Sequence, residues 1–170
     1  MKKVFQIVLI LSISIILCAC GNGSAQSVEK AEDGKETYNF EANGISIAID
    51  SEAEGILSQL GEAQSYFEAA SCAFNGLDKV YSYSGFDLTT YTIDDVDYIS
   101  EITIRDDSVT TKEGIYIGSD IASLKASYGE PTEEKDGCYI YEKGNTRLSF
   151  VVSDDEVLSI SYNTMIFDEN

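Results

Sequence analysis

The chain has 170 residues, enough for one domain or for two small repeats packed as one, and its 30 acidic against 11 basic residues give a net charge of −19. That charge sets it against nucleic acid and anionic headgroups. It has no histidine, which removes Ser-His-Asp and Cys-His nucleophile systems and histidine metal sites.

Lys2 and Lys3 open the chain and an almost wholly apolar run follows from Val4 to Leu17. It is shorter than the roughly 20 residues a spanning helix needs, which weighs against a plain signal anchor. Leu17-Cys18-Ala19-Cys20 then places a small residue just before a cysteine. This pattern resembles the lipobox of bacterial lipoprotein signal peptides. The resemblance implies that residues 1–19 are removed and that Cys20 is lipidated as the mature N-terminus. The protein would then be lipid-anchored at the cell membrane, on the extracytoplasmic side. Residues 20–37, rich in Gly, Ser, Asn and charge, read as a flexible tether.

The body is expected from Tyr38. Tyr38, Phe40 and Ala42 alternate, Asn43-Gly44 is a hairpin turn, and Ile45, Ile47 and Ile49 alternate again. Ser51 with Glu54 forms a capping-box pattern for a helix over about 52–60, ended by Gly61. Strands are expected over 80–83, 86–93 and 98–105. The stretch from Gly114 to Pro131 repeats the earlier pattern: Ile115 and Ile117 alternate, Ser119 can cap, Ile121, Leu124 and Tyr128 fall at helical spacing, and Gly129 with Pro131 stops the helix. Ile49, Ser51, Ile56, Gly61 and Glu62 match Ile117, Ser119, Leu124, Gly129 and Glu130 at one constant offset. Strands over 138–141, 146–152 and 157–162 complete the second copy.

These elements predict an α+β fold: two tandem strand–helix–β-meander repeats, residues 38–113 and 114–170, forming one antiparallel sheet with short helices packed on one face. The Gly-Ser-x-x-x-x-Leu-x-x-x-Tyr-Gly-x-Pro pattern of Gly118 to Pro131, with the meander after it, resembles the β-lactamase-inhibitor-like tandem repeats and the small outer-membrane-assembly lipoproteins of the SmpA/OmlA type. The segment from Phe67 to Asp78 looks like one in uncharacterised Gram-positive lipoproteins. The resemblance implies fold and location, not inhibition of a named enzyme.

Alternation assigns Phe86, Leu88, Ile102 and Ile104, with Leu148, Phe150, Ile160 and Tyr162, to the face under the helices. The opposite face then carries Tyr91, Glu101, Thr103 and Arg105, with Arg147, Ser149 and Ser161. Tyr81, Tyr83, Tyr139 and Tyr141 also alternate, on a face the sequence does not fix. Tyrosine and arginine on an open sheet suit protein recognition, although tyrosine also fits strands generally. The leading expectation is therefore a non-enzymatic module binding an unknown protein or cell-envelope partner, with no cofactor and no metal. The other class is a calcium-dependent envelope protein or an acidic-site hydrolase. Asp94, Asp95 and Asp97 invite the calcium reading, but they lack the Gly and distal Glu of an EF-hand loop. Turn chemistry accounts for Asp there and at Asp154-Asp155. Cys72 and Cys138 remain in the body and could pair outside the cytoplasm or persist as free thiols.

Overall fold

A computed structural model describes residues 36–71 and 76–168. The chain builds β1 (Asn39–Ala42), β2 (Ile45–Ala48), α1 (Ala53–Leu60), β3 (Ser65–Ala70), β4 (Leu77–Ser82), β5 (Phe86–Ile93) and β6 (Val96–Ile104). It continues with α2 (Ile121–Tyr128), β7 (Glu133–Lys135), β8 (Cys138–Lys143), β9 (Thr146–Ser153) and β10 (Glu156–Thr164). Two antiparallel sheets result, a β1–β2 hairpin and an eight-stranded sheet of order β3-β4-β5-β6-β10-β9-β8-β7.

The expected α+β class is overturned. Half of the structure is strand and 12% is helix. The large sheet is closed at its centre by the β1–β2 hairpin, not by helices: Phe40 packs 5.0 Å from Phe86 and 5.8 Å from Tyr162, ring centre to ring centre. Each helix fully buries one residue, Ala53 in α1 and Leu124 in α2. The physical reason is length. An eight-residue helix is about 12 Å long, too short to roof a sheet eight strands wide.

The two halves match closely. In both, a helix ends at a glycine with φ +78, Gly61 or Gly129, whose N–H donates to the carbonyl of Leu57 or Lys125. Four antiparallel strands follow. Asp50 N–H donates to Ile99 O as Gly118 N–H donates to Val157 O, and isolated bridges join Glu52 to Tyr98 and Asp120 to Glu156. Both long hairpins break register at matching places, skipping Ser100 in β6 and Leu158 in β10. The halves meet through β6 and β10, where Ile104 faces Ile160, Thr103 faces Ser161 and Ile102 faces Tyr162. Ile102 and Ile104 correspond to Ile160 and Tyr162, so a pseudo-twofold axis passes between Thr103 and Ser161.

Details differ from the expected repeat. Each half has four strands after its helix, because the edge strands β3 and β7 form in stretches to which the sequence reading assigns no strand. Ile115 is buried in the core, but no strand forms at 115–117. The caps shift by one residue: Glu52 precedes α1 without a side-chain cap, and Asp120 caps α2 by accepting from Ser123 N–H at 2.7 Å. Ser51 instead donates to Ala48 O, and Ser119 Oγ accepts from Tyr116 N–H. Glu36 and Thr37, expected in the tether, are held to the second half by Lys143 at 2.8 Å and Thr146 at 2.6 Å.

Candidate functional site

Alternation along the strands gives the large sheet two unlike faces. On the inner side a row Tyr66-Tyr81-Leu88-Ile102-Tyr162-Leu148-Tyr141 runs across seven strands. All eight residues assigned by alternation to the covered face are buried. On the other side Ser65, Ser82, Asp87, Thr103, Ser161, Ser149, Ile140 and Glu133 stand in register across all eight strands. None of these eight is buried. Ser65 and Glu133 are exposed and the other six are half-buried, so this face is rich in small hydroxyl side chains.

The tyrosines proposed as recognition residues do not belong to it. Tyr139 and Tyr141 are core residues, and Tyr81 and Tyr83 are half-buried against the core. Two of their polar ends are used internally. Tyr141 hydroxyl donates to Gly129 O at 3.2 Å, and Tyr83 hydroxyl approaches Gly61 O at 3.4 Å, its counterpart in the other half. These hydroxyls cap the last carbonyls of the helices, which otherwise lack partners. Lys125 lies 5.4 Å over the Tyr139 ring and pairs with Glu134 at 3.2 Å. Tyr91 is only 2% exposed. It stacks on Tyr98, receives Phe167 edge-on, and donates its hydroxyl to Asp50 Oδ1 at 3.2 Å. Burial first, then the Asp50 charge and hydrogen bond, push its pKa up. Alternation could not reveal Phe167, which arrives from the C-terminal segment.

The two arginines do stay at the surface, each with a partner. Arg105 makes a forked contact with Asp87 at 3.1 and 3.2 Å. Arg147 bonds Glu142 at 3.0 Å and Asp168 at 2.6 Å. The latter group lines a cleft of about 560 Å³ with Asp50, Asn145, Met165 and Ile166. Its charged and amide groups are committed to one another, since Asn145 bonds Asp50 Oδ2 at 2.6 Å. A second cleft of about 330 Å³ gathers Glu52, Glu54, Asp95 and Asp97 around Leu57 and Val96.

Asp97 is the most constrained of these acids. Lys79 Nζ and Thr92 Oγ1 each reach it at 2.6 Å. Partial burial pushes its pKa up, but the bonds from Lys79 and Thr92 and the lysine charge outweigh it and hold the carboxyl below the usual 3.8. The Lys79 ammonium is raised above 10.5, chiefly by the same bond. The Asp97 contribution to stability is therefore present above pH 3.8 and is lost as pH falls through its lowered folded value. Asp97→Asn should cost about 1 kcal/mol at pH 7. Urea denaturation should show the difference from the wild type closing toward zero as pH falls through the lowered carboxyl value.

Asp94-Asp95 and Asp154-Asp155 form two-residue turns, all four residues at φ between +50 and +70. Asp is among the few residues that tolerate this backbone, so the turns themselves account for these acids. No group of three or more Asp, Glu, His or Cys among the described residues is placed to hold a metal ion.

Cys138 carries a free thiol at the start of β8. Cys72, the other cysteine of the pair left open as bonded or free, lies outside the described residues. Cys20, the expected signal peptide and most of the expected tether also lie outside the described residues. No helix among the described residues is long and apolar enough to cross a membrane.

Comparison with known protein families, curated proteins and solved structures finds no match to this chain.

Proposed function

We propose that the protein is a non-enzymatic binding module displayed on the extracytoplasmic side of the cell membrane by a lipid on Cys20, and that it engages a protein or envelope polymer with its open sheet face. The observation that carries this reading is the continuous row from Ser65 to Glu133 across eight strands, centred on Thr103 and Ser161. Short hydroxyl side chains let a partner approach the sheet closely and offer it both donors and acceptors. Arg105 and Arg147 flank the row, and their ion pairs with Asp87 and Glu142 hold the guanidinium groups in place at the surface. Arginine in such a fixed setting is a common binding contact.

The test is affinity capture from detergent-solubilised envelope with the full-length protein. It is compared with a triple variant, Thr103→Lys, Ser149→Lys and Ser161→Lys, that crowds the middle of the row. The expected result is loss of most of the captured partner with circular dichroism unchanged. Undiminished capture by the folded variant rejects this face.

A further inference from the structure

The two outer edges of the large sheet are equivalent by the pseudo-twofold but chemically opposite. The edge β7 is three charged residues, Glu133-Glu134-Lys135, a short strand of the kind that discourages further pairing. Its counterpart β3, Ser65-Tyr-Phe-Glu-Ala-Ala70, is twice as long and has no proline, lysine or bulge. All six of its residues are exposed, with Tyr66 at 51% and Phe67 at 65%. Ser71 N–H donates to Gly76 O, which sets the phase of the ladder: Ser65, Phe67 and Ala69 turn their backbone groups toward β4. The N–H and C=O groups of Tyr66, Glu68 and Ala70 therefore point outward, where no described strand meets them.

We propose that β3 is a docking edge for an extended, cationic segment of another protein, which pairs with it as a ninth strand. The charge at this edge selects the occupant. Glu68 lies opposite Lys79 in register, yet Lys79 is drawn to Asp97. Glu68 accepts from the Tyr66 hydroxyl and makes no ion pair among the described residues. A lysine or arginine on the incoming strand would supply the missing cation. On the other side of the ribbon Phe67 calls for an apolar side chain. The fitting segment thus alternates basic and apolar residues. A second copy of this chain would bring another Glu68 and another net −19 instead. The edge shares Ser65 with the Ser/Thr row, but the outward backbone groups of Tyr66, Glu68 and Ala70 lie outside that row, so either assignment can fail without the other.

The probe is a fluorescein-labelled octapeptide of alternating lysine and valine, read by anisotropy against full-length protein in detergent micelles at about 0.15 M salt. A lysine–valine octapeptide methylated at every backbone nitrogen has the same charge but cannot donate to the ladder, and a glutamate–valine octapeptide reverses the charge. Glu68→Pro removes an outward N–H and the carboxylate while leaving the β3–β4 bonds in place. The expected result is binding of the lysine–valine peptide, weakened at least ten-fold by Glu68→Pro and by either control peptide. Slowed amide exchange at residues 66, 68 and 70 should accompany it, and decides the matter should Glu68→Pro unfold. No binding, equal binding of a control peptide, binding untouched by a folded Glu68→Pro, or no slowing at those amides overturns the proposal. Concentration-dependent self-association abolished by Glu68→Pro also overturns it, by making a second copy the occupant.

Discussion

Phe40→Ala should lower the free energy of unfolding by about 3–5 kcal/mol, a large share of the stability of a domain this size. Phe40 is fully buried and its ring touches both halves, Phe86 in β5 and Tyr162 in β10. Truncation leaves a void over the strands that flank the pseudo-twofold, where the hairpin covers the sheet. It also weakens the apolar hold of the hairpin on the sheet, and two four-residue strands are not stable alone. Urea denaturation measures the total effect. Amide exchange locates it: residues 39–48 should exchange faster than β6 and β10, whose amides open only with the whole body. A loss below about 1 kcal/mol would mean that the helices, not the hairpin, close the core. Ile56→Ala is the natural comparison. Ile56 is half-buried on α1, and it should cost less than half as much.

Turn chemistry and glycine positions were legible because they act locally. Asn43-Gly44, Gly61 and Gly129 all adopt the positive φ that their sequence context called for. The inner residues of β5, β6, β9 and β10 that flank the seam were legible because a sheet with one covered face enforces alternation away from the register breaks at Thr89/Thr90 and Val157/Ser159. The edge strands were not legible for the same reason. Every residue of β3 and β7 is exposed, so no inward apolar period marks them, and only the partner strand makes them strands. The fold class went wrong on a matter of area. Two capped helices are plain in the sequence, but nothing local says that a hairpin would take the roofing role. The candidate site went wrong on tyrosine. A hydroxyl suggests an open face until a specific acceptor is known, and for Tyr83 and Tyr141 that acceptor is a helix-end carbonyl well separated along the chain. The serines and threonines of the open face were visible in the alternation, yet they carry no signal that separates a binding surface from an ordinary strand.

Asp50 shows how the first half resolves a position where the second half uses glycine. Asp50 has φ +64 and its counterpart Gly118 has φ +104. A side chain is tolerated there because aspartate accepts this backbone better than most residues and because its carboxylate is held at both oxygens. Oδ1 accepts from Tyr91, and Oδ2 accepts from Asn145, whose amide also donates to Ile49 O. Asp50→Ala keeps the strained backbone and removes the acceptor of a buried tyrosine hydroxyl, so it should destabilise by about 2–3 kcal/mol. Asp50→Gly removes the same acceptor but relaxes the backbone, and should recover about 1 kcal/mol of that loss. The pair of variants separates strain from hydrogen bonding in one set of denaturation curves. Equal losses would mean that the positive φ costs nothing here. A loss confined to the alanine variant would mean that relaxing the backbone offsets all that the carboxylate contributes. An alkaline titration followed by tyrosine absorbance supplies the second readout. Removing the Asp50 charge and hydrogen bond takes away two of the influences that raise Tyr91, so in either variant this residue should ionise at lower pH than in the wild type.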